Sequence, residues 1–400
     1  MIRTYFKRMR PLWQPPHAHR GVDRERTVSF LELFYDLVYV VLIAAVAHNL
    51  AGHMNWVSVG EFFVVFSLVW IAWLNGSAEY DLQGREEIRT RVFTFVQMLL
   101  VALLAVYASW GKDGRDEFAI VYGVFCGVLA WLWFTAHLQA DERHKRTFRL
   151  YLALTLLSAA SVVGSVFVPL VAQLWVWGIT ALVWICTSFF IFRASLSGPG
   201  EVVLVSESLV ERFGLFTIIV LGEVVVGVVD GISASAHNLQ TVTTGMLALG
   251  IGFGLWWNYF DLTGRRLPRQ DRTGLPIWII LHLPLTLSIA AAGAAMVSVI
   301  EHAGDLRAPE IATWVLNGSV AISLLTIAVI VPTLQDWSRY RSIFLVTSIL
   351  MAILAIGIVP LSLLRPGPMA LVSMLLGVLA LVWAIAVIRW LMTEGETATS

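Results

Sequence analysis

The sequence predicts an all-α integral membrane protein of about twelve transmembrane helices, and three observations carry that expectation. Of 400 residues, 58% are hydrophobic and only 14% charged, with a mean hydropathy of +0.78, far from an ordinary soluble domain. The apolar residues fall in runs of about 18 to 25, enough to cross ~30 Å of hydrocarbon as helices. The lysines and arginines collect on one side of the resulting pattern, as short loops of membrane proteins require. Seventeen tryptophans and 21 phenylalanines suit a surface facing lipid and headgroups. Zero net charge predicts no nucleic-acid partner.

Residues 1–27 carry no apolar core of signal-peptide length and no small-residue cleavage site, and read as a retained basic cytoplasmic arm. Residues 28–192 hold six apolar runs, beginning near Ser29, Val57, Ile88, Glu117, Phe148 and Leu170. A cytoplasmic linker, 193–206, follows. Residues 207–391 hold six more, beginning near Glu207, Gln240, Leu275, Ile311, Arg341 and Pro368, and 392–400 form a short cytoplasmic tail. With the N-terminus inside, the outer loops contain only Lys112, Arg115, Arg307 and Arg365, and Arg212 falls within a helix; the rest of the 27 basic residues lie on the inner side. That bias fixes an even helix count with both ends in the cytoplasm. Cys126 and Cys186 lie in apolar runs without ligand-like spacing and are expected as small core residues.

The two halves resemble each other. "FLELFYDL" aligns with "LVERFGLF", placing Glu32 over Glu211. "WLNGSAEYDLQG" aligns with "WWNYFDLTG", pairing Trp73, Asn75, Asp81 and Gly84 with Trp256, Asn258, Asp261 and Gly264. "HLQADERHKRTFRL" aligns with "TLQDWSRYRSIFL", the offsets growing along the chain as insertions would produce. Six helices per unit is an even number, so the expected architecture is two six-helix repeats in parallel orientation.

"SFLELFYDLVYVVLIAAVAHNL", "WIAWLNGSAEYD" and "ERFGLFTIIVLGE" together resemble the bacterial low temperature requirement A family of multi-pass membrane proteins, over roughly Ser29 to Trp390. The resemblance implies a bacterial inner-membrane location and a link to growth in the cold. It implies Glu32, Asp36, Glu211 and Glu223 as family motif positions, with no substrate and no established role for any of them.

Charge in hydrocarbon is the strongest functional clue, because an ionised side chain there costs roughly 2.5 to 3.5 kcal/mol on insertion scales and demands a partner or a wet site. With the first helix starting near Val28, Asp36 is ~12 Å along it, close to the midplane, and Glu32 is one turn shallower. Their spacing puts both on one face, continued by Tyr39, Ile43 and Ala47. In the seventh helix Arg212, Phe216, Ile219, Glu223 and Gly227 share a stripe, beside Glu207, Glu211 and Gly214. Arg212 and Glu223 are ~16 Å apart along the axis and cannot pair, so Arg212 is expected to bridge to Glu32 or Asp36 across the interface between the halves. Two close carboxylates repel, so one tends to hold a proton unless a cation neutralises it, and such a site can exchange protons. The alternative is a static buried ion pair fixing helix register.

Glu223, in "VLGEVVVGVVD", has no basic residue within a turn. Since burial disfavours an unpaired charge, it is expected to stay protonated or face water, as a coupling or ion-binding carboxylate or a hydrogen-bonded structural one. Asn75 with Asp81, and Asn258 with Asp261, are secondary polar candidates at the inner ends of the second and eighth helices, suited to capping or to bonding across helices. His282 precedes Pro284 and is expected to satisfy the carbonyl that the proline frees. Gly250, Gly252 and Gly254 superficially resemble a dinucleotide loop but lie in an apolar helix with no preceding strand, which points to close helix contact. An intramembrane protease pattern, Glu86, Glu87 and Arg91 with His137 and Asp141, is weak, because these acids fall at a helix edge where charge is ordinary.

No catalytic residues, metal or cofactor are expected. The expected partners are the lipid bilayer and a small solute or monovalent ion, and a homo-oligomer is compatible with the sequence. The functional expectation is a proton- or cation-coupled solute or ion transporter or channel. The alternative is an intramembrane enzyme or a scaffold supporting growth at low temperature, disfavoured because no loop is long enough for a soluble catalytic domain.

Overall fold

The computed structural model describes residues 28–83, 88–140, 142–195, 206–236 and 238–398. The arm expected over 1–27 and nearly all of the linker, 196–205, lie outside the described residues. Six helices occupy the first half: α1 (Phe30–Gly52), α2 (Trp56–Gln83), α3 (Ile88–Ser109), α4 (Arg115–Gln139), α5 (Glu142–Gly164) and α6 (Leu170–Ser195). Six follow in the second: α7 (Glu207–Ser233), α8 (Leu239–Leu262), α9 (Gly274–Glu301), α10 (Glu310–Ile330), α11 (Arg341–Leu361) and α12 (Pro368–Ala398). Among the described residues there is no strand, and twelve helical segments are long and apolar enough to cross a membrane.

Helix starts agree closely with the starts of the apolar runs, except in α5. That helix begins at Glu142 and not near Phe148, because its polar opening "ERHKRTFR" is built mostly of good helix formers. Hydropathy marks the length fit for lipid; propensity lets the helix extend beyond it. Likewise α12 continues to Ala398, through most of the stretch expected as a tail.

The helices cluster into two compact units, Met1–Val46 with Val64–Arg212, and Ala47–Phe63 with Phe213–Ser400. In the first unit α3 packs on α4, α4 on α5 and α5 on α6. Among its buried tryptophans, Trp133 and Trp177 donate their indole N–H to an acceptor, the usual outcome for a buried indole. Trp133 stacks on Tyr151 at 5.1 Å and donates to Asn75 Oδ1 at 2.6 Å. Trp177 donates to Ser165 Oγ at 2.8 Å. The outward face of α3 carries Val92, Phe95, Leu99, Leu103 and Val106, all exposed, the arrangement expected where the solvent is acyl chain. Cys126 is buried as expected, but Cys186 is exposed on α6. In an apolar helix, composition alone does not separate the face toward protein from the face toward lipid.

In the second unit α9 is the central helix: 89% of its apolar window is buried. It packs on α8 and α10, while α12 packs on α8 and α11. Small residues Ala290, Ala291, Ala292, Gly293, Ala294 and Ala295 are all buried there, allowing backbones to come close. Gly293 abuts the Glu223 carbonyl, and a Cβ at Gly227 would fall on the Gly293 carbonyl. The glycines of α8 act the same way: Gly250 and Gly254 face Leu376 and Leu379 of α12, and Gly252 faces Val224 of α7.

Candidate functional site

The site is built from the first turn of α1 upward. Ser29 Oγ accepts the Glu32 N–H at 3.3 Å, and Glu32 Oε2 accepts the Ser29 N–H at 2.9 Å. This is a capping box, in which a serine and a glutamate three residues later satisfy each other's orphan backbone donors. Glu32 thus closes the start of the helix while remaining almost fully buried, with 1% of its surface exposed.

One turn further on, Asp36 is equally buried. Because α1 starts at Phe30 and not at Val28, Asp36 is about 9 Å along the axis, in the first third of the helix. Arg212 meets it with a two-pronged contact, Nε to Oδ2 at 3.1 Å and Nη2 to Oδ1 at 2.5 Å. Trp73 of α2 donates its indole N–H to the same Oδ1 at 2.9 Å. The Arg212 Nη1 is also 3.8 Å from Glu32 Oε1, so one guanidinium reaches both acids. All of these groups belong to the first unit. The carboxylate pair therefore divides its work: Glu32 caps, Asp36 holds the arginine.

Tyr35 extends the polar cluster. Its ring lies under the Arg212 guanidinium at 5.7 Å, and its hydroxyl donates to Gln97 Oε1 at 3.1 Å and lies 3.1 Å from the Tyr39 hydroxyl. A side chain at Gly76 would collide with the Tyr35 hydroxyl, so the glycine lets α2 come close at this point. Buried Glu79 of α2 and buried Arg89 of α3, each 4% exposed, interact electrostatically, and Arg89 donates to Thr135 Oγ1 at 2.6 Å. Tyr35 is within electrostatic reach of Arg212, Asp36 and Glu79 alike.

The remaining expected residues fall elsewhere. Glu211 is exposed at the start of α7 and accepts the Val28 N–H at 3.4 Å. Glu223 is buried, with 5% exposure, about 16 Å up α7 from Arg212. The expected bridge from Arg212 is thus made to Asp36, with Glu32 near it, whereas Glu211 accepts the Val28 N–H instead. Asn75 is well inside α2, not at its end, and bonds to Trp133 and Thr155 on α4 and α5. Asp81 accepts from Ser206 Oγ at 2.5 Å, and the same hydroxyl accepts the Leu209 N–H. Asn258 bonds to the carbonyls of Gly254 and Leu379, and Asp261 is exposed.

His282 Nδ1 is 2.7 Å from the Trp278 carbonyl. A carbonyl only accepts, so Nδ1 carries a proton, and Nε2 lies 3.0 Å from the Tyr259 hydroxyl. The carbonyl that Pro284 leaves without its helical donor is that of Ile280, so His282 does not fill the expected gap. Residues Glu86, Glu87 and Asp141 of the protease pattern lie outside the described residues. Among the described residues no three His, Cys, Asp or Glu side chains converge as metal ligands.

Tyr35, Trp73, Glu79, Arg89 and Gln97 were not among the expected site residues. The capping box was legible as Ser-x-x-Glu before an apolar run, and Glu79 as an acid within an apolar helix. Nothing in the spacing marks Gln97 or Tyr35, whose roles come from neighbours distant in sequence.

A protein of Rhizobium meliloti (strain 1021), uncharacterized protein RA0937, is 24% identical over 330 residues, covering 76% of this chain and 78% of that one. The family model described as bacterial low temperature requirement A protein (LtrA) matches residues 27–386, which takes in the α1 acids, Arg212 and Glu223. The chain therefore belongs to the bacterial low temperature requirement A family.

Proposed function

We propose that this protein moves a small solute or monovalent ion across the bacterial inner membrane, coupled to protons or cations through the acids held by Arg212. In this reading the twelve helices form two parallel six-helix repeats with both termini in the cytoplasm. The observation that carries it is the burial of Glu32, Asp36 and Arg212 to 1% exposure in helices of membrane-spanning length. Ionisable groups at such depth are expensive and belong by default to a pathway or relay.

The geometry supports a specific device. Arg212 is bonded to Asp36 and 3.8 Å from Glu32. When Asp36 takes up a proton or a cation, its hold on Arg212 weakens and the guanidinium moves toward Glu32. Loss of the proton returns it. Such an exchange gives two discrete arrangements of α1 against the start of α7, the bistable element that coupling requires. Glu223, further along α7, serves as a second loading position.

The test is reconstitution in liposomes with an internal pH-sensitive dye, screening ions and solutes for coupled flux. Asp36→Asn is expected to abolish proton coupling while the protein still elutes as a folded species, and Glu223→Gln to reduce it. A proton-coupled flux that is unchanged in Asp36→Asn would end the reading, as would a full screen in which the intact protein carries nothing.

A further inference from the structure

On the second unit, two loops far apart in sequence are bound into one strap where four candidate spans end. The spans are Leu239–Leu262, Gly274–Glu301, Glu310–Thr333 and Arg341–Leu364. Between them, Arg269 N–H donates to the Thr333 carbonyl at 2.8 Å and Gln335 N–H to the Leu267 carbonyl at 3.0 Å. Pro268 and Leu334 form an isolated antiparallel bridge, and Gln335 Nε2 donates to the Pro268 carbonyl at 3.1 Å. A cleft of about 540 Å³ opens here, lined by Phe260, Asp261, Arg265, Arg266, Leu267 and Asp336, with Gln335. That volume is within the range of small-molecule sites.

Its charges sort into two kinds. Arg266 is ion-paired with Asp336 and lies over the rings of Tyr340 and Phe344, at 5.3 and 5.1 Å. That pair is fixed and neutral. Asp261 and Arg265 are both exposed; the Asp261 carbonyl accepts from Arg266 Nη2 at 3.4 Å, while the Asp261 carboxylate and the Arg265 guanidinium make no hydrogen bond or ion pair among the described residues. The cleft therefore offers one open carboxylate and one open guanidinium. An ion of either sign alone satisfies one and is repelled by the other, so a zwitterion is the complementary ligand.

We propose that the cleft binds the phosphoethanolamine group of a phospholipid. The phosphate is held by Arg265, whose fork matches phosphate oxygens, and the ammonium donates to Asp261. The glycerol end rests on Phe260 and Leu267. Two observations select this ligand over other zwitterions. The cleft lies where four spans terminate, which is headgroup depth. The cationic end meets a carboxylate and a single lining ring, which suits a hydrogen-bonding primary ammonium; a trimethylammonium donates no hydrogen bond and calls for an aromatic cage.

The experiment uses the full chain in detergent, with native mass spectrometry to read retention of added phosphatidylethanolamine, phosphatidylcholine and phosphatidylglycerol. Phosphatidylethanolamine is expected to be retained most strongly. Asp261→Asn should erase its advantage over phosphatidylglycerol by about tenfold, the size of one lost charge-assisted hydrogen bond. Arg265→Gln should weaken both lipids, and Arg307→Gln, at a different loop, neither. Size-exclusion elution checks that the variants fold, and both changed residues are exposed. Equal retention of the three lipids, or a preference that survives both variants, overturns the proposal. Displacement of the lipid by free phosphoethanolamine at equal concentration also overturns it, by assigning the site to a soluble ligand; failure to displace supports the lipid.

Discussion

Replacing Arg212 by glutamine tests the structural core of the site. The guanidinium makes two hydrogen bonds to Asp36, at 3.1 and 2.5 Å, with a further approach of 3.8 Å to Glu32, and all three residues are 1% exposed. At an effective dielectric of ~20, two unit charges ~4 Å apart interact by about 4 kcal/mol. Removing one partner of a buried pair costs ~3–5 kcal/mol, because the other charge stays buried without compensation. Glutamine keeps a donor and most of the volume, so the expected loss is near the lower figure, about 3 kcal/mol. The measurement is unfolding of the purified protein in mixed micelles by titration with a denaturing detergent. The double variant Asp36→Asn/Arg212→Gln removes both charges and should be destabilised less than the sum of the singles, by ~1–3 kcal/mol of coupling. A loss below about 1 kcal/mol for Arg212→Gln, or additivity within ~0.5 kcal/mol, would refute the reasoning.

Three further outcomes follow from local geometry. Ser29→Ala removes the capping-box hydroxyl and should cost about 1 kcal/mol of stability in the same titration, whereas Ser29→Thr should not. Gly293→Ala places a Cβ 2.7 Å from the Glu223 carbonyl oxygen and should destabilise by ~1–3 kcal/mol; Gly357→Ala, where an added Cβ meets nothing within 4 Å, should be neutral or stabilise by up to ~1 kcal/mol through helix propensity. Asp271, in the α8–α9 loop, is pushed up by burial, the largest single influence, but the N–H groups of Gly274 and Thr273 and the Arg269 charge together pull it below its ordinary 3.8. A carboxyl lowered on folding stabilises above its unfolded value and loses that contribution as pH falls through the folded one. Thermal unfolding of the wild type should therefore decline more than that of Asp271→Asn as pH drops below 3.8; parallel curves would contradict the assignment.

Much of the site was visible in the sequence as a question and not as an answer. Arg212 within an apolar helix announced that it needed an acid, since a lone cation in hydrocarbon is too costly. Glu32 and Asp36 on one face were the available acids, but their division into a cap and an ion partner came from backbone geometry at Ser29. Glu223 was already set apart in the sequence, because helix rise puts it three turns from Arg212. His282 was read against Pro284 because the two are adjacent in sequence, and its real partner, Tyr259, comes from another helix.

The sequence by itself determined the class of the protein and the number of its apolar spans among the described residues, because apolar length and backbone hydrogen bonding within a single segment are local properties that a bilayer enforces. Tertiary structure decided which face of each helix is core. In water a polar stripe marks the outside of a helix, but here both faces are apolar, so Cys126 turns inward and Cys186 outward with no periodic signal to say so. Tertiary structure also brought Trp73 to Asp36, and the last turn of α8 with Arg265 beyond it against the loop of Gln335 and Asp336. Those contacts join residues far apart in the chain, and no short-range pattern encodes them.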